Sequence, residues 1–119
     1  MMEMSCPLSF YIGSINTFCM EVDKFQNEIA KFAKLWEKQR GIIHTEQGTF
    51  NHLIEEVGEL AREFVNRDIR KDKFSDKEYD NAIGDILVMI VVLAELRGIK
   101  IEKLILDIIK EDSKRGNLP

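Results

Sequence analysis

The sequence predicts an all-α domain built as a four-helix bundle, and three observations carry that reading. Between Met20 and Pro119 the chain has no proline, so no residue there breaks a helix by lacking a backbone N–H. Apolar residues recur at spacings of three and four in four successive segments, which is the helical period. Short polar or glycine-bearing stretches separate those segments, as suits antiparallel neighbours in a bundle. A chain of 119 residues can bury a core at this size without disulfides or structural zinc.

The elements follow in order. Phe25, Ile29, Phe32 and Trp36 form one stripe of a first helix that ends near Gly41. A second helix runs from about Thr49 to Asn66. The third opens on the capping box Ser75-x-x-Glu78, continues to Arg97 and stops at Gly98. The fourth carries Ile101, Leu104, Ile105 and Ile108 and dissolves into Lys114, Arg115 and Gly116. Because the third helix is apolar nearly all round from Ile86 to Ala94, three neighbours barely cover it; a second subunit is expected to complete the burial, as a homodimer or a tetramer made of two dimers. Residues 1–19, in which Glu3 is the only charge, read as an N-terminal arm dispensable to a helical domain of residues 20–119.

Composition excludes several classes. With 17 Lys+Arg against 21 Asp+Glu and a net charge of -4, the chain lacks the basic surface that displaces counterions from a nucleic-acid polymer. Its longest apolar run is far shorter than the roughly 20 residues of a membrane span. Cys6 and Cys19 make neither a disulfide framework nor a zinc pattern, so the cytoplasm is the expected compartment.

The first chemical signal is Glu55-Glu56-Val57-Gly58-Glu59 on the second helix. Taking Glu55 as zero, Glu59, His52, Glu63 and Glu56 fall at about 40°, 60°, 80° and 100° around the helix. Four carboxylates and an imidazole therefore share one arc, while Phe50, Leu53, Val57, Leu60, Ala61 and Phe64 occupy the other. A solvated face is the plain explanation of such a strip. Against it stand the like-charged i,i+4 pairs Glu55/Glu59 and Glu59/Glu63, each of which destabilises a helix by a few tenths of a kcal/mol. A divalent cation removes that repulsion, and a set of oxygen ligands favours Mg²⁺ or Mn²⁺.

The second signal is Asp85, set in Ile83-Gly84-Asp85-Ile86-Leu87-Val88-Met89. A carboxylate buried among apolar groups demands a cation, a metal or strong donors opposite it. Pairing with Arg or Lys is one solution; a metal shared with the glutamate strip is the other, and it resolves both electrostatic problems together.

These residues resemble the MazG-type nucleoside triphosphate pyrophosphohydrolases, whose all-α superfamily includes dimeric dUTPases and dCTPases. The likeness rests on Leu53-Ile54-Glu55-Glu56-Val57-Gly58-Glu59-Leu60 and Ala82-Ile83-Gly84-Asp85-Ile86-Leu87-Val88 and extends from Met20 to about Gly116, most closely toward short phage and bacterial members. It implies Mg²⁺-dependent hydrolysis of a nucleoside or deoxynucleoside triphosphate to monophosphate and pyrophosphate. By position, Glu56, Glu59 and Asp85 would hold metal, and Glu55 would bind a further ion or orient the attacking water. The chain departs from the pattern at Ala82, where the family usually has Glu; Asn81, one turn before Asp85, offers a neutral amide oxygen instead.

Lys110, Lys114 and Arg115 are expected to meet the distal phosphates or, equally, to complement the dipole of the last helix. Trp36, His44 and His52 are candidates for the nucleobase, although Trp36 also fits the core stripe and His52 can simply pair with a glutamate. No ExxH motif supports a ferritin-like di-iron bundle. Because of Ala82, a catalytically degenerate member that binds nucleotide or a partner helix without turnover is the alternative to an enzyme.

Overall fold

The computed structural model describes residues 20–116, so the expectation about residues 1–19 lies outside it. The described residues form four α-helices, α1 (Val22–Arg40), α2 (Glu46–Ile69), α3 (Asp76–Leu96) and α4 (Ile101–Lys114), with a 3-10 turn at Lys71–Lys73 between α2 and α3. The all-α architecture is the one the apolar periodicity predicts.

Local chemistry sets the boundaries. α1 closes on Gly41, whose φ of 65° lies in the left-handed region that glycine enters without a Cβ clash. α2 begins earlier than its apolar stripe indicates, because Thr45 caps it: the Thr45 hydroxyl accepts the Gly48 N–H at 3.0 Å. At the start of α3 the Ser75 hydroxyl accepts the Glu78 N–H at 3.1 Å. The reciprocal half of the box is supplied from elsewhere, since the Ser75 N–H donates to Glu63 Oε1 at 3.0 Å. Glu63 is thus a buried cap for α3 rather than a member of an open acidic strip, and only 7% of its surface is exposed.

α2 and α3 pack along their length, α1 lies against α3, and α4 docks on α1. The core joins Ile29 and Ala33 of α1 to Met89, Val91 and Val92 of α3, flanked by Phe25, Trp36, Leu53, Val88 and Ile101. A single buried amide fastens the last helix. Gln26 Nε2 donates to Glu95 Oε2 and to the Ile99 carbonyl, each at 2.8 Å, and its Oε1 accepts the Ile101 N–H at 2.9 Å. A buried amide that satisfies three partners at once is costly to replace.

The apolar arc of α2 is less covered than its pattern suggests. Phe50, Ile54 and Val57 on α2, and Ile83, Leu87 and Ile90 on α3, are each 43–51% exposed in the single chain. None of the residues of α4 is buried.

Candidate active site

Packing of α2 against α3 brings the two acidic motifs together. Glu56 and Asp85 line one cavity of about 360 Å³ with Phe32, Trp36, Arg40, His52, Val88 and Met89. Glu56 is the most perturbed group there. Its pKa is raised, first by burial of the carboxylate, then by the negative charges of Asp85 and Glu59, with His52 pulling the other way. His52 Nε2 lies 3.1 Å from Glu56 Oε2. Oε1 of the same carboxylate is buried without a hydrogen-bond partner.

Asp85 itself is exposed rather than buried. The sequence surrounds it with apolar residues, but in a single chain α3 is covered on one side only, and Asp85 opens onto the cavity. Glu55 and Glu59 are exposed on α2; Glu59 acts on Glu56 through its charge. Asn81 is exposed and Ala82 is buried, with 3% of its surface accessible, so position 82 faces the packed side of α3.

The residues suit a hard divalent cation in kind. The donors are carboxylate oxygens, one of them a buried oxygen lacking a partner, and neighbouring carboxylates repel until a cation intervenes. Among the described residues no three His, Cys, Asp or Glu side chains converge closely enough to hold an ion as they stand. Glu56 and Asp85 are therefore the pair that shares the cavity, with Glu59 beside them.

The aromatic side of the cavity is ordered by Trp36. Its ring meets His44 and His52 edge-on at centroid separations of 5.3 and 5.4 Å. The Arg40 guanidinium lies 5.0 Å from the Trp36 ring centroid, in cation–π range. Glu37 fixes His44: one carboxylate oxygen, Oε2, accepts the His44 backbone N–H at 2.7 Å and lies 3.0 Å from Nδ1. These contacts hold the Glu37 pKa below its usual value, the backbone N–H contributing most.

Trp36 and His52 line the same cavity as Glu56 and Asp85, and His44 stands one ring away. Lys110, Lys114 and Arg115 do not line this cavity; the lysines lie on α4, which packs on α1, and Arg115 caps its C-terminus and pairs with Asp112. Arg40 is the permanent cation that does line it. Sequence reasoning overlooked Arg40, although its place one turn after Trp36 on α1 was a usable signal. It also overlooked Glu37, which reaches His44 across the turn after α1, and the buried Thr49.

A family model described as the MazG nucleotide pyrophosphohydrolase domain matches residues 44–117. The chain belongs to this family. Searches of curated proteins and of solved structures found no match. The matched MazG segment contains α2, α3 and α4, and hence both acidic motifs, while α1 with Trp36 and Arg40 precedes it. Among the described residues no helix is long and apolar enough to cross a membrane.

Proposed function

We propose that this MazG-family chain hydrolyses nucleoside or deoxynucleoside triphosphates to monophosphate and pyrophosphate with the help of Mg²⁺ or Mn²⁺. The observation that carries the reading is Glu56, a desolvated carboxylate with one unpartnered oxygen, sharing a cavity with Asp85 in a chain of this family. Glu56 and Asp85 would hold the cation, with Glu59 adding negative potential and, on reorientation, an oxygen. A bound Mg²⁺ supplies neutralisation of triphosphate charge and a more acidic water.

The chain's own groups do the rest. His52 fixes the rotamer of Glu56 through Oε2 and leaves Oε1 free for a ligand. Glu55, exposed beside the cavity-lining glutamate, is the proposed acceptor of the water proton, a role worth about 10²- to 10⁴-fold in rate. Arg40 is the proposed partner of the phosphates inside one subunit, since a guanidinium matches phosphate oxygens in a planar fork. Lys110, Lys114 and Arg115 would reach phosphates from the α4 of a second subunit. The exposed apolar stripes of α2 and α3 support assembly as a homodimer.

The test is pyrophosphate release from a panel of NTPs and dNTPs with Mg²⁺ or Mn²⁺, repeated on Glu56→Ala and Asp85→Asn. Turnover by the native chain that both variants abolish supports the reading; a silent panel, or variants as active as the native chain, defeats it. One observation favours a second reading. With Ala82 in place of the family's usual Glu and no convergent metal cluster among the described residues, the chain would bind nucleotide without turnover. Saturable nucleotide binding with a silent panel selects that alternative.

A further inference from the structure

Arg40 lines the same cavity as Glu56 and Asp85, yet it pairs with neither. Among the described residues no carboxylate stands within ion-pair distance of its guanidinium. The charges that act on Glu56 are those of Asp85, Glu59 and His52, and Arg40 is not among them. Opposite charges in a partly desolvated pocket attract more strongly than in water, and a guanidinium matches a carboxylate in a planar fork. Something must hold Arg40 back.

Trp36 supplies the restraint. Arg40 follows it by one turn of α1, and the guanidinium lies 5.0 Å from the indole ring centroid. The ring is itself held in place: His44 and His52 meet it edge-on at 5.3 and 5.4 Å, and Phe32 stands 6.0 Å away. Glu37 in turn fixes His44 through the backbone N–H and the imidazole. Stacking engages the flat face of a guanidinium and leaves the N–H donors in its plane free. An ion pair with Glu56 or Asp85 would consume those same donors.

We propose that Trp36 is a positioning residue that keeps the Arg40 guanidinium off Glu56 and Asp85, so that one cavity can take a divalent cation on its carboxylates and still offer a free guanidinium to a phosphate. The proposal rests on the reading of Glu56 and Asp85 as the cation's ligands. Without the stack, Arg40 becomes an internal counter-ion: it satisfies the unpartnered Oε1 of Glu56 and competes with the metal for it. The plainer role for Trp36 is packing alone, since it also flanks the core beside Phe25 and Leu53.

The experiment uses Mn²⁺ alone as its probe, with binding followed by electron paramagnetic resonance in the absence of nucleotide. Trp36→Leu keeps an apolar side chain but frees Arg40, and should weaken Mn²⁺ binding about tenfold, the effect of one cation drawn up to a carboxylate. Arg40→Gln should bind Mn²⁺ at least as tightly as the native chain. Combining Trp36→Leu with Arg40→Gln should restore the affinity of Arg40→Gln, because no guanidinium remains to compete. Trp36→Phe retains an aromatic face and should stay within about threefold of the native chain. Circular dichroism checks that each variant keeps its helices.

Unchanged affinity in Trp36→Leu overturns the proposal, since nothing then needed restraining. A double variant as weak as Trp36→Leu overturns it too, by assigning the loss to packing, and so does a native chain that binds no Mn²⁺. Pyrophosphate release from the nucleotide panel is a separate arm. Turnover that Glu56→Ala abolishes, with Mn²⁺ affinity indifferent to Trp36, defeats this proposal alone; the restored affinity of the double variant with a silent panel defeats the hydrolase reading alone.

Discussion

His52 and Glu56 occupy successive turns of α2 and meet at 3.1 Å, so the imidazole holds one oxygen of the carboxylate while the other stays buried and unpartnered. Only that second oxygen is left for a ligand. Burial and the charges of Asp85 and Glu59 raise the Glu56 pKa above its usual value of 4.5, so folding favours the protonated form. The associated stability is present in full below that usual value and is lost as pH rises through the higher folded one.

Glu56→Gln should therefore have opposite effects with and without metal. Without metal, the neutral amide relieves the repulsion and stabilises the protein at neutral pH by roughly 0.5 kcal/mol or more. With Mg²⁺, affinity and turnover should fall by about 10²-fold. Thermal denaturation in chelator and in millimolar Mg²⁺ measures both arms. A variant that is destabilised in chelator would contradict the repulsion argument.

Glu37 has the reverse sign. The His44 backbone N–H, then the His44 ring and the Lys34 charge, hold its carboxylate below 4.5 against the opposing effect of burial. Stability from Glu37 is complete above that value and disappears as pH falls through the lower folded one. Urea unfolding between about pH 5 and pH 3 should show the native chain losing stability, with a shallower slope in Glu37→Gln. Parallel slopes would remove Glu37 from the acid transition.

Gln26 should matter more to α4 than any apolar contact. Gln26→Leu removes three hydrogen bonds and strands the Ile99 carbonyl and the Ile101 N–H. A loss of about 2–3 kcal/mol is expected, with amide exchange accelerated over Ile101–Lys114 ahead of α2 and α3. Uniform acceleration across all four helices would show that α4 has no separate dependence on this amide.

Ile83, Leu87 and Ile90 fall at i, i+4 and i+7 on one face of α3 and are 50%, 47% and 45% exposed. Light scattering at micromolar concentration is expected to give a dimer, and Leu87→Glu should shift it toward monomer. A monomeric native chain would refute the assembly.

Much of the fold was legible because it follows from periodicity and caps. The Phe25–Trp36 stripe, Gly41, Ser75 and Gly98 each act within a few residues of themselves, so their consequences appear in the one-dimensional pattern. Helical phase also brought Glu56, His52 and Glu59 onto one arc. It misled for Glu63, because phase records direction and not what stands opposite, and Ser75 stands there. Asp85 was expected to be buried because its neighbours in sequence are apolar, yet burial depends on how many helices surround α3. Thr49 escaped notice because a single threonine carries no pattern and only packing buries it, whereas Arg40, one turn after Trp36 on α1, was within reach of the helical period.

The bond from Glu63 to Ser75 has a consequence beyond capping. It ties the last turns of α2 to the first residue before α3, closing the hairpin at the end where the chain reverses. Glu56 and Asp85 stand on the two arms of that hairpin, which the packing of α2 along α3 holds together. An acidic residue outside the cavity thus helps to hold together the two helices that carry Glu56 and Asp85.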